Sequence, residues 1–300
     1  QVFLNGEKVG DQLFTPGWTS YNKRLQYQTY DVTDMIHSEN AIGAMLGDGW
    51  YRGNIGWSTQ RNYYGNELAL LLQLRLTYAD GSVETVISDK NWSASTGPII
   101  YSDIYNGEKY DARMEHIDWS IAGFNDSSWE KVKIINKSKA HLIAPQGDPV
   151  KAVEEIKPIE IITTPEGEMV VDMGQNMVGW IRIKLQGEKG DKVVLKHAEV
   201  LDKEGNFYTA NLRAAECTDT YIFGDKKEVV FEPHFTFHGF RYLKLEGLDE
   251  APDLNDITGV VIYSEMEPTG TFECSDPMIN QLQHNIRWGQ KGNFLDVPTD

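Results

Sequence analysis

The sequence predicts a mainly β protein, with two antiparallel β-sandwiches or jelly rolls followed by a single helix. Three observations lead there. Short runs rich in Val, Ile, Phe, Tyr and Thr recur at roughly 8–12-residue spacing, separated by Gly and Asp turn residues. A Pro-rich stretch, HLIAPQGDPVKAVEEIKPIEI, splits these runs into two groups. Beyond Met266 the apolar period changes from that of a strand to that of a helix.

Taken in order, the chain opens on QVFLNG, a strand running into a turn, so Gln1 is not expected to be the natural start. Any export signal is expected upstream. A periplasmic or extracellular location is favoured on this reading, with a cytoplasmic one left open. LALLLQLRLTYADGSVETVISD is two β-rich runs meeting at Asp80-Gly81, a hairpin turn by composition. Pro145, Gly147, Pro149 and Pro158 mark the break, which gives one β domain over 1–144 and a second over 145–266. Within the second, MVVDMGQNMVGWIRIKLQ alternates apolar and polar residues and turns at Gly187–Asp191. FTFHGFRYLKLEG alternates again, with Phe235, Phe237 and the following odd positions expected on one face. Residues 267–300 differ. Ser275 or Asp276 can cap a helix whose first position is Pro277, and Ile279, Leu282 and Ile286 form one stripe. A single amphipathic helix after two sandwiches needs a partner surface, and it looks like the start of a helical domain.

Composition excludes some classes of partner. The 300 residues carry 45 acidic and 28 basic side chains, a net charge of −17. Such a field repels nucleic acid and anionic membranes and suits a neutral substrate. The longest apolar run, ELALLLQLRLTY, is too short and interrupted to span a bilayer. Cys217 and Cys274 are too few for a disulfide framework and have no metal-like spacing; they read as ordinary thiols.

Two stretches concentrate residues able to hold a ligand. GDGWYRGNIGWSTQRNYYGNE sets Trp50, Tyr51, Trp57, Tyr63 and Tyr64 among five glycines. Flat apolar rings with a polar edge suit a sugar, and Gly lets a ligand approach the backbone. The plainer reading of each ring is core packing. SDIYNGEKYDARME supplies hard oxygen ligands from Asp103, Asn106, Glu108, Asp111 and Glu115, with Tyr110 as a further sugar-stacking ring. Calcium takes such ligands, although the spacing is not that of an EF-hand, and a solvated turn explains them equally. His238 could be an acid or base, but no nucleophile or carboxylate stands beside it at a telling spacing, so it reads as structural, as do Asp172 and Glu199.

The motifs NGEKVGD, PGWTSYNKRLQYQTYDVT, GDGWYRG, YNGEKYDAR, DMGQNMVGW, HAEVLD, HGFRYLKLEG and GTFECSDPMINQL occur in an order that resembles bacterial α-L-rhamnosidases of glycoside hydrolase family seventy-eight. The resemblance covers nearly all of the chain. It implies a rhamnosidase N-terminal sandwich, a concanavalin-like sandwich and the first helix of a six-hairpin α/α catalytic toroid. By the same resemblance VPTD opens an acidic motif in which Asp300 matches a sugar-contacting Asp. The family's general acid and base would then both lie beyond Asp300, so no residue of the chain is expected to be catalytic. The parent would hydrolyse terminal α-L-rhamnosyl residues with inversion. This segment would brace its own catalytic domain and bind rhamnose-containing glycans. Some family members hold rhamnose on the first sandwich through calcium. Asn106 is the position that matches, Asn62 is a looser match, and Glu108 and Asp111 are further candidate ligands. The rival reading, a stand-alone carbohydrate-binding sandwich, gives no use to the helix near 276–290.

Overall fold

The structure is a computed structural model that describes residues 1–300 apart from 57–59, 138, 140 and 300. Its first part is a patchwork of small sheets. Strands β1 (Val2–Leu4), β2 (Glu7–Lys8) and β3 (Ile42–Ala44) form one antiparallel sheet in the order β2-β1-β3. A short helix, α1 (Gly49–Arg52), opens the aromatic loop. Strands β4 (Gln73–Thr77) and β5 (Val83–Ile87) pair in the hairpin that Asp80-Gly81 predicts, and Gly81 takes φ +83° in its turn.

A ten-stranded curled sheet follows. It contains β6 (Ile99–Asp103), β7 (Gly107–Asp111), β8 (Val150–Ile156), β9 (Glu160–Thr163), β10 (Met169–Gln186), β11 (Lys192–Ala198), β12 (Thr218–Ile222), β13 (Glu228–Phe231), β14 (His238–Glu246) and β15 (Ile257–Ser264). The order along its main path is β8-β15-β10-β14-β11-β12-β7-β6, with β9 and β13 also pairing β10. Strand β10 is long enough to serve both layers. Its first half meets β14 and β9, and its second half meets β15 and β13. The register jump between Asp172 and Met177 bends it at the motif DMGQN. At Gly179 a Cβ would stand 1.8 Å from the Val260 carbonyl oxygen, so only glycine lets β10 and β15 close. The core between the layers holds Val171, Ile181, Ile183, Leu195, Phe223, Phe240, Leu243 and Ile257, all fully buried.

Sequence alternation does not reveal that the β6–β7 hairpin joins this sheet. Strand β7 lies parallel to β12, with Tyr110 opposite Tyr221. Gly107, at φ +108°, permits it, because a Cβ there would meet the Thr218 carbonyl oxygen at 2.0 Å.

Helix α2 (Pro277–Asn293) is capped by Asp276, whose carboxylate accepts the Met278 N–H. Its last turn is docked on the sheet. Trp288 packs against the core, Lys291 pairs with Glu154 and lies over the Tyr263 ring, and Gly292 abuts Val178. Its first turns are not covered: Met278 is 80% exposed and Ile279, Leu282 and Ile286 about half. Among the described residues no helix is long and apolar enough to cross a membrane.

Candidate functional site

The aromatic loop folds back on the first part of the chain. Trp50 is buried, stacked on Trp18 at 5.0 Å and flanked by Phe237, so it is a core ring and not a sugar platform. Its indole N–H has no partner among the described residues. Tyr110 is likewise unavailable, because Tyr221 stacks on one face and His234 on the other, each at 5.6 Å. Tyr51 is half-buried between Tyr21 and Tyr64, and its hydroxyl accepts from Lys137 Nζ at 3.2 Å. Tyr63 is exposed and meets Tyr64 edge-on. Trp57 lies outside the described residues.

The four candidate calcium ligands do not converge into one shell. Glu108 and Asp111 sit three residues apart on β7 and so face opposite sides. The buried Glu108 carboxylate already accepts from His234 Nδ1 at 2.8 Å and from the backbone N–H groups of His234 and Phe235 at 3.0 Å. Asp111 caps the following turn and pairs with Arg113, which holds its carboxyl below the usual range. A carboxylate saturated with protein donors does not fit a calcium ligand without rearrangement.

Asn106 and Asn62 are placed differently. Asn106 Nδ2 donates to the Tyr101 hydroxyl at 2.9 Å, and its side-chain oxygen accepts the Glu216 N–H at 3.3 Å. The Arg61 guanidinium lies 5.6 Å from the Tyr101 ring centre, and the neighbouring Asn62 (φ +60°) donates its N–H to the Arg52 carbonyl oxygen. Asp48 bridges the two cations, pairing with Arg61 and, at 3.3 Å, with Arg52. Beneath them Asp103, fully buried, fixes both loops: its carboxylate accepts the Asn54 N–H at 2.8 Å and the N–H groups of Tyr105 and Asn106. The result is a half-exposed patch of planar donors and acceptors, Asp48, Arg61, Tyr101 and Asn106, of the kind that recognises vicinal hydroxyls. Sequence reasoning missed Asp48, Arg61 and Tyr101. For Asp48 and Arg61 the signal was the charged residues set inside the aromatic loop; Tyr101 left none.

One cluster looks superficially like a metal site. His197, Asp219 and His238 are buried with ligand atoms within 4.8 Å of one another. His238 Nε2 donates to Asp219 at 3.0 Å. His197 Nδ1 is 3.0 Å from the Cys217 carbonyl, which can only accept, so its bare Nε2 faces Asp219 at 4.0 Å. The two rings, however, stack at 4.0 Å with 20° between planes. A metal in the plane of one ring would lie far out of the plane of the other, so the cluster does not fit a coordination site. It fits a buried ion pair. Burial opposes the charge on His238, but the Asp219 carboxylate outweighs it and lifts the imidazole to about 10. Burial, with the His238 charge beside it, pushes His197 down to about 3. His238 is therefore structural, as the sequence implies.

Comparison with known proteins places this arrangement. The family model for the α-L-rhamnosidase N-terminal domain matches residues 1–154. The bacterial α-L-rhamnosidase concanavalin-like domain matches 162–263, and the six-hairpin glycosidase domain 267–300. The chain belongs to the α-L-rhamnosidase family. An α-L-rhamnosidase of Streptomyces avermitilis is 45% identical over 303 residues, covering 100% of this chain and 29% of its own length. One of Formosa agariphila is 41% identical over 306 residues, covering 100% and 33%. Among solved structures, the native α-L-rhamnosidase of Aspergillus terreus superposes with a TM-score of 0.97 at 44% identity, covering 100% of this chain and 35% of its own. The Streptomyces avermitilis α-L-rhamnosidase complexed with L-rhamnose gives 0.96 at 44%, covering 100% and 29%. The chain thus spans about a third of these rhamnosidases and matches their N-terminal third.

Proposed function

We propose that this chain is the ancillary N-terminal part of an α-L-rhamnosidase that removes terminal α-L-rhamnosyl residues with inversion. In it, 1–144 and 145–266 act as two ancillary β regions, the first contributing the hairpin β6–β7 to the large sheet of the second, and 267–300 opens the catalytic domain. The observation that carries this reading is the succession of three rhamnosidase domain matches, in order, over one chain. Inverting hydrolysis needs a carboxylic acid on the leaving oxygen and a carboxylate activating water, roughly 6.5–9.5 Å apart. Here both come from the catalytic domain, and Asp300, outside the described residues, contacts the sugar. The half-exposed stripe of Ile279, Leu282 and Ile286 is the surface that domain covers.

The first region binds the rhamnosyl unit on the Asp48–Arg61–Tyr101–Asn106 patch. Titration calorimetry of the chain with L-rhamnose tests this, with and without a chelator. Millimolar binding that disappears in Asn106→Ala is expected. Loss of heat with chelator would assign calcium a part, through Asn62 and Asn106. No heat in either condition would leave the patch as scaffold.

A further inference from the structure

We propose that Asp296 is a positioning residue for the sugar-contacting end of this segment, latched by the Gly17–Trp18 turn from the opposite end of the chain. The proposal rests on the rhamnosidase reading above and adds to it a device that aims the chain into the active site.

Asp296 lies between β16 (Phe294–Leu295) and β17 (Val297–Pro298), four residues before Asp300. It is a non-glycine residue at φ +70°, a conformation that costs energy and persists only where neighbours enforce it. Three restraints do so. Leu295 is buried with Trp180, Val260 and Ile262, and Leu13 and Phe14 of the first region pack on the same cluster. The Asp296 N–H donates to Ser264 Oγ at 2.9 Å. Its carboxylate accepts the Trp18 N–H across a sequence separation of 278 residues. The fit is close: a Cβ on Gly17, at φ +87°, would stand 2.9 Å from Asp296 Oδ1. The turn is itself fixed, because Trp18 stacks on Trp50 and the Tyr21 hydroxyl donates to the Gly17 carbonyl oxygen at 2.6 Å. Beyond Asp296, Thr299 donates back to the Asn293 carbonyl oxygen at 2.8 Å. The direction in which the chain leaves Thr299 is therefore set by a carboxylate held from the first region.

The test uses the full-length enzyme containing this segment, with an aryl α-L-rhamnoside as substrate. Asp296→Ala should raise KM about tenfold or more and weaken inhibition by L-rhamnose in parallel, since misplacing a contact by about 1 Å can cost about 100-fold in rate or binding. Asp296→Asn, whose amide oxygen can still accept the Trp18 N–H, should stay within about threefold of wild type. Gly17→Ala, which pushes the carboxylate from the other side, should reproduce the Asp296→Ala change in KM. Leu4→Ala, buried in β1, serves as the control that lowers thermal stability and leaves KM unchanged. If Asp296→Ala and Gly17→Ala lower the melting temperature as Leu4→Ala does while KM and rhamnose inhibition stay put, the latch is merely structural and the proposal fails. An inactive wild-type full-length protein would instead overturn the rhamnosidase reading itself.

Discussion

The two ends of the β architecture are stabilised by different means. In β15 all eight residues are buried, and β10 pairs with four other strands. Among the described residues of the first 98, by contrast, only Leu4 and Trp50 are buried large apolar side chains. That region holds together through stacked rings (Trp18 on Trp50, Tyr21 against Tyr64) and through side chains that bond distant backbone, as Asn5 does to Ala41 and Met35. The sheet is an apolar core with a few committed polar groups. The first region is a scaffold of loops, which is where binding groups can be displayed.

This contrast can be broken by mutation. The largest loss should come from Asp219→Ala, which removes the carboxylate that keeps the buried His238 charged and hydrogen-bonded, and with it the acceptor of the Glu108 N–H. About 3–5 kcal/mol is expected from urea unfolding. Phe240→Ala, fully buried between layers, should cost a similar amount by leaving a cavity. Trp18→Ala should cost less, about 2 kcal/mol, because the ring is only half-buried and its stacking on Trp50 adds about 0.5–1.5 kcal/mol to that partial burial. Lys189→Ala, whose pair with Asp225 lies in solvent, should leave the midpoint unchanged. A Trp18→Ala loss exceeding that of Phe240→Ala would show that the loop region, not the sheet, dominates stability.

The pH response sharpens the same contrast. His238 rises from 6.5 to about 10 on folding, so the stability it adds is complete below pH 6.5 and is lost as pH climbs toward 10. His197 falls from 6.5 to about 3, so the unfolded chain binds a proton that the folded chain refuses, and stability drops as pH falls from 6.5 toward 3. Asp219, held below its ordinary value by His238, adds to the acid limb. Urea midpoints at pH 4, 7 and 10 should peak near neutrality. His238→Asn should flatten the alkaline limb, and an unchanged limb would contradict the buried ion pair.

Much of the fold is legible locally. The Asp80-Gly81 hairpin, the Gly187–Asp191 turn and the Asp276-Pro277 helix start each combine a periodic run with a residue that stops or caps it. The addition of β6 and β7 to the large sheet is not legible, because a parallel pairing of Tyr110 with Tyr221 leaves no mark in either neighbourhood. The site was half legible for a similar reason. Composition identifies Trp50 and Tyr110 as large rings, but it does not reveal that Trp18, Phe237, Tyr221 and His234 cover them. Glu108 and Asp111 read as ligands because their protein donors, His234 and Arg113, are chosen by folding.

The central proposal is that this chain is an ancillary part of an α-L-rhamnosidase that does not hydrolyse rhamnosides by itself. The most direct test is to assay the purified 300-residue chain against an aryl α-L-rhamnoside at substrate concentrations well above millimolar. The account predicts no turnover above the uncatalysed rate, since loss of a positioned acid or base costs about 10²–10⁴-fold each. Robust turnover that a substitution within residues 1–300 abolishes would contradict it.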